Sequence, residues 1–271
     1  MNSLKRDVAV IGGGPAGLMA AETLVAQGLS VDVYDRMPSL GRRFLMAGCG
    51  GLNLTHSEPL EDLVARYGEA RDRLGSPVAA FDPQALRAWA EGLGQETFVG
   101  SSGRVFPRAL KASPLLRAWL GRLDAAGVRV HLRHDWSGWG ADGALTFATP
   151  AGEVEARPAA TVLALGGASW PRLGANGAWA QIWAEAGAPL APFAPANMGV
   201  LAPWSPDFAA RFAGAPLKAV ALTFGAHTVR GEAMVAAYGL EGGGVYALSG
   251  EIRRALANGG QGELLIDLRP D

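Results

Sequence analysis

Asp7-Val8-Ala9-Val10-Ile11-Gly12-Gly13-Gly14-Pro15-Ala16-Gly17-Leu18 decides how this chain is read. The short β-branched run Asp7 to Ile11 ends in a glycine-dense turn, after which Leu18, Ala21, Leu24 and Val25 recur at helical spacing. A second apolar run, Leu29-Ser30-Val31-Asp32-Val33-Tyr34, closes on Asp35, 23 residues beyond Gly12. Strand, tight turn, helix and strand make a βαβ unit with a dinucleotide fingerprint. Gly12 permits the turn, and Gly14 lets backbone N–H groups approach a pyrophosphate. Pro15 and Ala16 open the helix whose N-terminus faces that anion, and Gly17 lets helix and strand pack closely. Asp35 is placed to accept hydrogen bonds from the adenosine ribose hydroxyls. A plain glycine turn without nucleotide is the competing reading, and the strand, helix and acid in context weigh against it. Arg36, directly after the acid, could meet a 2′-phosphate and leaves NADP open.

Outward from this unit, composition narrows the classes. Hydrophobic residues make up 49% of the 271 and charged residues 18%, enough for one large core or a core with a satellite domain. With 24 basic against 25 acidic groups, no global field recruits nucleic acid or an anionic membrane. Four scattered histidines and the single Cys49 offer no metal-ligand spacing and no intramolecular disulfide, so no metal is expected. The longest uncharged run, 186–206, is broken by five prolines and reads as a linker rather than a membrane span. Because the opening residues lead straight into a strand pattern without an apolar signal segment, a cytoplasmic protein is expected.

The segment after the acid, 41–58, is a glycine-dense loop. Arg42 and Arg43 can neutralise a pyrophosphate there, and Asn53 and Thr55 can hydrogen-bond ring or ribitol oxygens. Later, Thr161 to Leu165 reads as a buried strand whose closing Gly166 and Gly167 let backbone pass near a cofactor; the alternative is that they merely end the strand. With these segments, the sequence resembles the BaiN-like FAD-dependent flavoproteins of the glutathione-reductase-type FAD superfamily. The resemblance runs through Met37 to Arg43, the Asn53 loop, Gly103 to Pro107, Ala164 to Pro171 and Gly231 to Met234, in the family's order.

That resemblance implies an α/β fold: a Rossmann-like FAD-binding domain with a β-meander over 1–190 and a small inserted mainly-β domain over 191–271. It implies FAD with Gly12, Gly14 and Gly17 at the pyrophosphate, Asp35 at the ribose, and Arg42, Arg43 and Asn53 toward the flavin. Gly166 and Gly167 would return to the ADP moiety, and Trp136 would lie near the adenine. Two departures stand out. Gly48-Cys49-Gly50-Gly51-Leu52-Asn53 replaces the family's Gly-Gly-Gly-Arg-Cys-Asn, so the cysteine is displaced and the arginine beside the asparagine is missing. The family also closes with a segment that re-enters the FAD domain, whereas this sequence ends at Leu268-Arg269-Pro270-Asp271.

Elsewhere, Pro83 to Leu93, Pro114 to Ala126 and Ala175 to Ala186 read as helices, with Ser113 as the N-cap of the second. Trp89 and Trp119 read as core. Val128 to Leu132 reads as a strand, and Asp142-Gly143 marks a hairpin. Past the linker, Leu217 to Phe224, His227 to Arg230 and Ala233 to Ala237 suggest short strands. Gly242, Gly244 and Ala247 match a second GxGxxA, but with no strand expected before them they read as a turn into a helix from Val245 to Ala257. Cys49 reads as a small buried hydrophobe and His56 as a loop histidine or a proton donor near the flavin. His131 and His134, three apart in a strand region, should point to opposite faces.

The expected function is an FAD-dependent oxidoreductase moving a hydride between NAD(P)H, flavin and a small organic substrate, with a conjugated ketone implied by the family. An oxidase passing electrons to O₂ from an amine is one alternative, and a truncated or non-catalytic FAD-fold fragment is another. No catalytic acid, base or oligomeric state is assigned.

Overall fold

The computed structural model describes residues 6–47 and 50–271, apart from the side chain of Asn258. The chain divides into two compact units, Met1–Ala191 and Pro192–Asp271.

The first unit opens as β1 (Val8–Ile11), α1 (Pro15–Ala26) and β2 (Val31–Asp35). All four residues of β1 are buried, as are the first four of β2, because both strands are covered on both faces. A side-chain and backbone clamp joins their starts. Ser30 donates to Asp7 Oδ2 through its N–H (2.8 Å) and its hydroxyl (2.7 Å), and Asp7 N–H donates back to Ser30 Oγ at 3.0 Å.

Next come α2 (Arg42–Ala47), β3 (Thr55–His56), three helices α3 (Leu60–Ala65), α4 (Arg71–Ala80) and α5 (Pro83–Glu91), then β4 (Thr97–Val99) and β5 (Arg104–Pro107). Asp82 caps α5 by accepting from Ala85 N–H at 2.7 Å, with Pro83 at the first helical position. Strands β3, β5 and β4 make a small antiparallel sheet in that order.

Helix α6 (Ala112–Ala125) begins two residues earlier than its sequence pattern suggested, with Lys111 at the N-cap. Ser113 therefore lies within the first turn rather than capping it, and Pro114 is tolerated because the first N–H groups of a helix have no partner in any case. Trp119 is buried, and its indole N–H shares the Glu22 Oε2 of α1 with that of Trp89, at 2.6 and 3.0 Å. Arg122 donates to the other oxygen at 2.8 Å.

The unit ends with β6 (Arg129–Leu132), the meander β7 (Asp135–Trp139), β8 (Leu145–Thr149) and β9 (Gly152–Ala156), then β10 (Ala160–Leu163) and α7 (Trp179–Glu185). The main sheet is parallel in the order β10-β1-β2-β6. The sequence suggested a buried strand over Thr161 to Leu165. The strand instead covers Ala160–Leu163 and is half-exposed, because it lies at a sheet edge. Helix α7 starts four residues later than expected, since Trp170 and Ala175 pair across a short turn before it. His131 and His134 do not face apart. Strand β6 stops at Leu132, Arg133 adopts φ 57°, and the chain swings back so that the two rings lie 5.5 Å apart beside Tyr34. Tyr34 stacks on His131 and on Phe147.

The second unit holds β11 (Val200–Leu201), α8 (Pro206–Phe212), β12 (Pro216–Phe224), β13 (His227–Ala236), β14 (Gly239–Glu241), α9 (Gly243–Ala247), α10 (Ser249–Leu256) and β15 (Leu264–Asp267). Its antiparallel sheet runs β11-β14-β13-β12-β15. The two short strands expected over 227–237 are one, continuous through Gly231. A strand does run into Gly242, contrary to the sequence reading, yet β14 is antiparallel to its neighbours and makes no βαβ unit. The glycines there serve packing: a Cβ on Gly244 would lie 2.4 Å from Leu222 Cδ1. The expected single helix from Val245 is divided at Leu248 into α9 and α10, whose Val245, Leu248 and Ile252 enter the core over Leu222 and Val235. No described helix is long and apolar enough to cross a membrane.

Candidate dinucleotide site

The three fingerprint glycines are required by different neighbours. A Cβ on Gly12 (φ +108°) would lie 2.3 Å from the Ala164 carbonyl oxygen after β10, and one on Gly17 would lie 1.8 Å from the Gly12 oxygen. Both are forced by the packing of turn, helix and neighbouring strand. Gly14 differs, since it is an extended N-cap (φ −82°) and a Cβ there would meet nothing within 4 Å. Its missing side chain leaves open space in front of the N-terminus of α1, the place an anion would approach. Gly13, which the sequence reading passed over, donates to Asp35 Oδ2 at 2.7 Å and packs so tightly on Leu40 that a Cβ would lie 2.2 Å from it. The unbroken triple glycine was its only signal.

Asp35 ends β2 with both oxygens engaged, Oδ2 by Gly13 N–H and Oδ1 by Met37 N–H, each at 2.7 Å. Burial pushes its carboxyl above the ordinary carboxylate value, against the pull of the two N–H donors and of Arg36 and Arg42. The carboxylate thus ties the glycine turn to the loop after β2, and its remaining lone pairs are available to a ligand. Arg36, open to a 2′-phosphate by sequence, is paired with Asp135 at 3.3 Å. Arg42 donates to Ser39 Oγ at 3.2 Å, while its buried Nε has no partner among the described residues. The Arg43 guanidinium lies against Gly166, where a Cβ would stand 2.3 Å from Nη2.

These groups line one cleft of about 230 Å³ within the first unit. Of the residues singled out from sequence, Gly12, Gly14, Asp35, Arg36, Arg42, Arg43 and Trp136 line it. Pro15, Ala16 and Gly17 form the first turn of α1 behind it. Gly166 and Gly167 are outside the lining, although Gly166 backs Arg43 and accepts from Trp179 Nε1 at 3.1 Å. Asn53 is not brought to this cleft. It is exposed and lines a second one with His56, Glu58 and Arg66, because the 51–54 loop is pinned to β5 by Leu54 N–H on Val105 O at 2.8 Å. His56 is fully engaged there: Nδ1 accepts from Glu58 N–H at 3.1 Å, which leaves Nε2 to donate to Ser102 O at 3.0 Å. Cys49 lies outside the described residues. Sequence reasoning missed His134, Asn176, Trp179 and Ile182 as lining residues, since only tertiary packing carries them there.

A family model described as the HI0933-like protein Rossmann domain matches residues 6–260, and the chain belongs to that family. A 3-dehydro-bile acid delta(4,6)-reductase from Clostridium scindens is 25% identical over 276 residues, covering 97% of this chain and 64% of the relative. A ferredoxin--NADP reductase from Colwellia psychrerythraea is 37% identical over 92 residues, covering 32% of this chain and 24% of the relative. The chain therefore spans less than two thirds of either relative's length. Among solved structures, THI4 of Thermovibrio ammonificans aligns with a TM-score of 0.45 and 18% identity over 69% of this chain and 65% of that one.

Proposed function

We propose that the cleft holds FAD and that the protein is an FAD-dependent oxidoreductase, exchanging a hydride between NAD(P)H, the flavin and a small organic substrate. One observation carries the reading. The cleft lined by the open Gly14 turn also holds two guanidiniums, Arg42 and Arg43, that form no carboxylate ion pair among the described residues, and Arg42 Nε is buried without an acceptor there. One buried donor without an acceptor and a second guanidinium, lining the same cleft as Gly14 before α1, fit the charge and acceptor oxygens of a pyrophosphate. In this reading the α1 N-terminus and the arginines bind the phosphates, Asp35 orients the ribose through its free lone pairs, and the Arg36–Asp135 pair closes the sugar end. A bound flavin supplies the two-electron carrier. The bile-acid reductase named above supports a conjugated ketone as the substrate class.

The test is an absorption spectrum between about 350 and 500 nm of protein purified with and without added FAD, followed by anaerobic addition of NADH or NADPH. Flavin bands that bleach with one nucleotide are expected. Protein that stays colourless after incubation with excess FAD overturns the proposal. Rapid reoxidation in air without an organic acceptor would replace the reductase reading with an oxidase.

A further inference from the structure

The second cleft, which shares no lining residue with the first, holds about 660 Å³, within the roughly 300–1,000 Å³ usual for small-molecule sites. Part of its lining is apolar. Leu63, Val78 and Leu86 are half-buried there, and Tyr67 and Phe81 are 43% and 42% exposed. Two large rings left open to solvent within a concavity offer a surface for an apolar body.

The charged groups of the lining are committed, with one exception. Glu58 accepts from Arg66 Nε at 2.8 Å on one oxygen and from Nη2 at 2.6 Å on the other. Asp82 caps α5, whose N-terminus offsets its charge, and both ring nitrogens of His56 are engaged. The Arg104 guanidinium has no hydrogen bond or ion pair among the described residues. Strands β3 and β5 set Arg104 directly opposite His56, so the two side chains stand on one face of the sheet, and both line the cleft. An arginine on a flat surface is satisfied by water alone. Here it is an uncommitted charge beside an apolar concavity, and its planar fork matches the paired oxygens of a carboxylate.

We propose that this second cleft binds an amphipathic organic oxyanion, with an aromatic or polycyclic body against Tyr67 and Phe81 and a carboxylate-type group on Arg104. The site is separate from the dinucleotide cleft and does not depend on the FAD reading. It is tested on the full chain by fluorescence titration with 8-anilinonaphthalene-1-sulfonate and with N-phenyl-1-naphthylamine, which has the same body without the anion. Wild type, R104Q, R104A and F81A are compared, with melting temperatures as the folding control. Two substitutions at Arg104 are used so that one poorly folded protein does not decide the matter.

The folded Arg104 variant should bind the sulfonate about tenfold more weakly, about 1.4 kcal/mol, with the neutral amine unchanged, and F81A should weaken both. 1-Naphthoate should displace the sulfonate from wild type, and 1-naphthamide should not. A sulfonate affinity within about twofold of wild type in the Arg104 variant overturns the proposal, as does an equal loss for the neutral amine, which would mean general distortion. Absence of sulfonate binding to wild type, or F81A binding both probes as wild type does, also overturns it. Displacement of the sulfonate by FAD would assign the second cleft to the cofactor and overturn a separate site, whereas failure of the protein to bind FAD removes only the FAD reading.

Discussion

At the scale of single residues, Gly14 and Gly17 belong to one motif but answer to different constraints. Gly17 is held by the turn it packs on, since any side chain there would strike the Gly12 carbonyl. Gly14 has room for a methyl group and an ordinary φ, so its smallness matters to whatever approaches from the cleft. G14A should keep apo stability within about 1 kcal/mol of wild type while weakening FAD binding at least tenfold. G17A should lose the folded state or several degrees of melting temperature. Thermal melts with FAD titrations separate the two, and equal behaviour of the variants would contradict this division.

Among the elements, two polar clamps hold the first unit and neither belongs to the cleft. Glu22 on α1 serves the indoles of Trp89 on α5 and Trp119 on α6, together with Arg122. E22A strands two largely buried N–H donors and a guanidinium, at a cost of about 2–4 kcal/mol. E22Q can keep an oxygen facing both indoles and should cost less. Urea unfolding followed by near-UV circular dichroism checks both. The second clamp is Asp7, whose carboxyl is held below its ordinary 3.8 by the Ser30 backbone N–H and then the Ser30 hydroxyl. A depressed folded value means this contribution is complete above about pH 3.8 and is lost as pH falls through the lower folded value. D7N should therefore flatten the acid limb of melting temperature against pH, and an unchanged limb would show that the clamp does not titrate with folding.

For the whole molecule, every residue lining the candidate dinucleotide cleft belongs to Met1–Ala191. Between α7 and β11, residues 187–199 form no helix or strand, and Phe193 is exposed. Limited proteolysis should cut there first, and the N-terminal fragment should retain flavin absorbance through gel filtration. Loss of colour on cleavage would show that the second unit is needed for cofactor retention.

Much of β1–α1–β2 was legible in the sequence, because apolar periodicity, a glycine turn and a terminal acid act within one short stretch of backbone. The hairpin at Asp142-Gly143 was legible for the same reason, with Gly143 at φ +80°. What lies beside these elements was not. The parallel partners β10 and β6, the ion pair that occupies Arg36, and the turn at Arg133 that returns His134 to Tyr34 join residues close in space through packing that no local pattern encodes. The same holds for Asn53, kept at another cleft by the bond of the next residue, Leu54, to β5, and for the N–H of Trp136, which has no partner among the described residues. Sequence alone determined the glycine turn between β1 and α1, since short-range sterics permit few conformations there. Only the tertiary structure decided which side chains reach the cleft and which of their hydrogen-bonding groups stay free, because both depend on contacts between residues far apart in the chain.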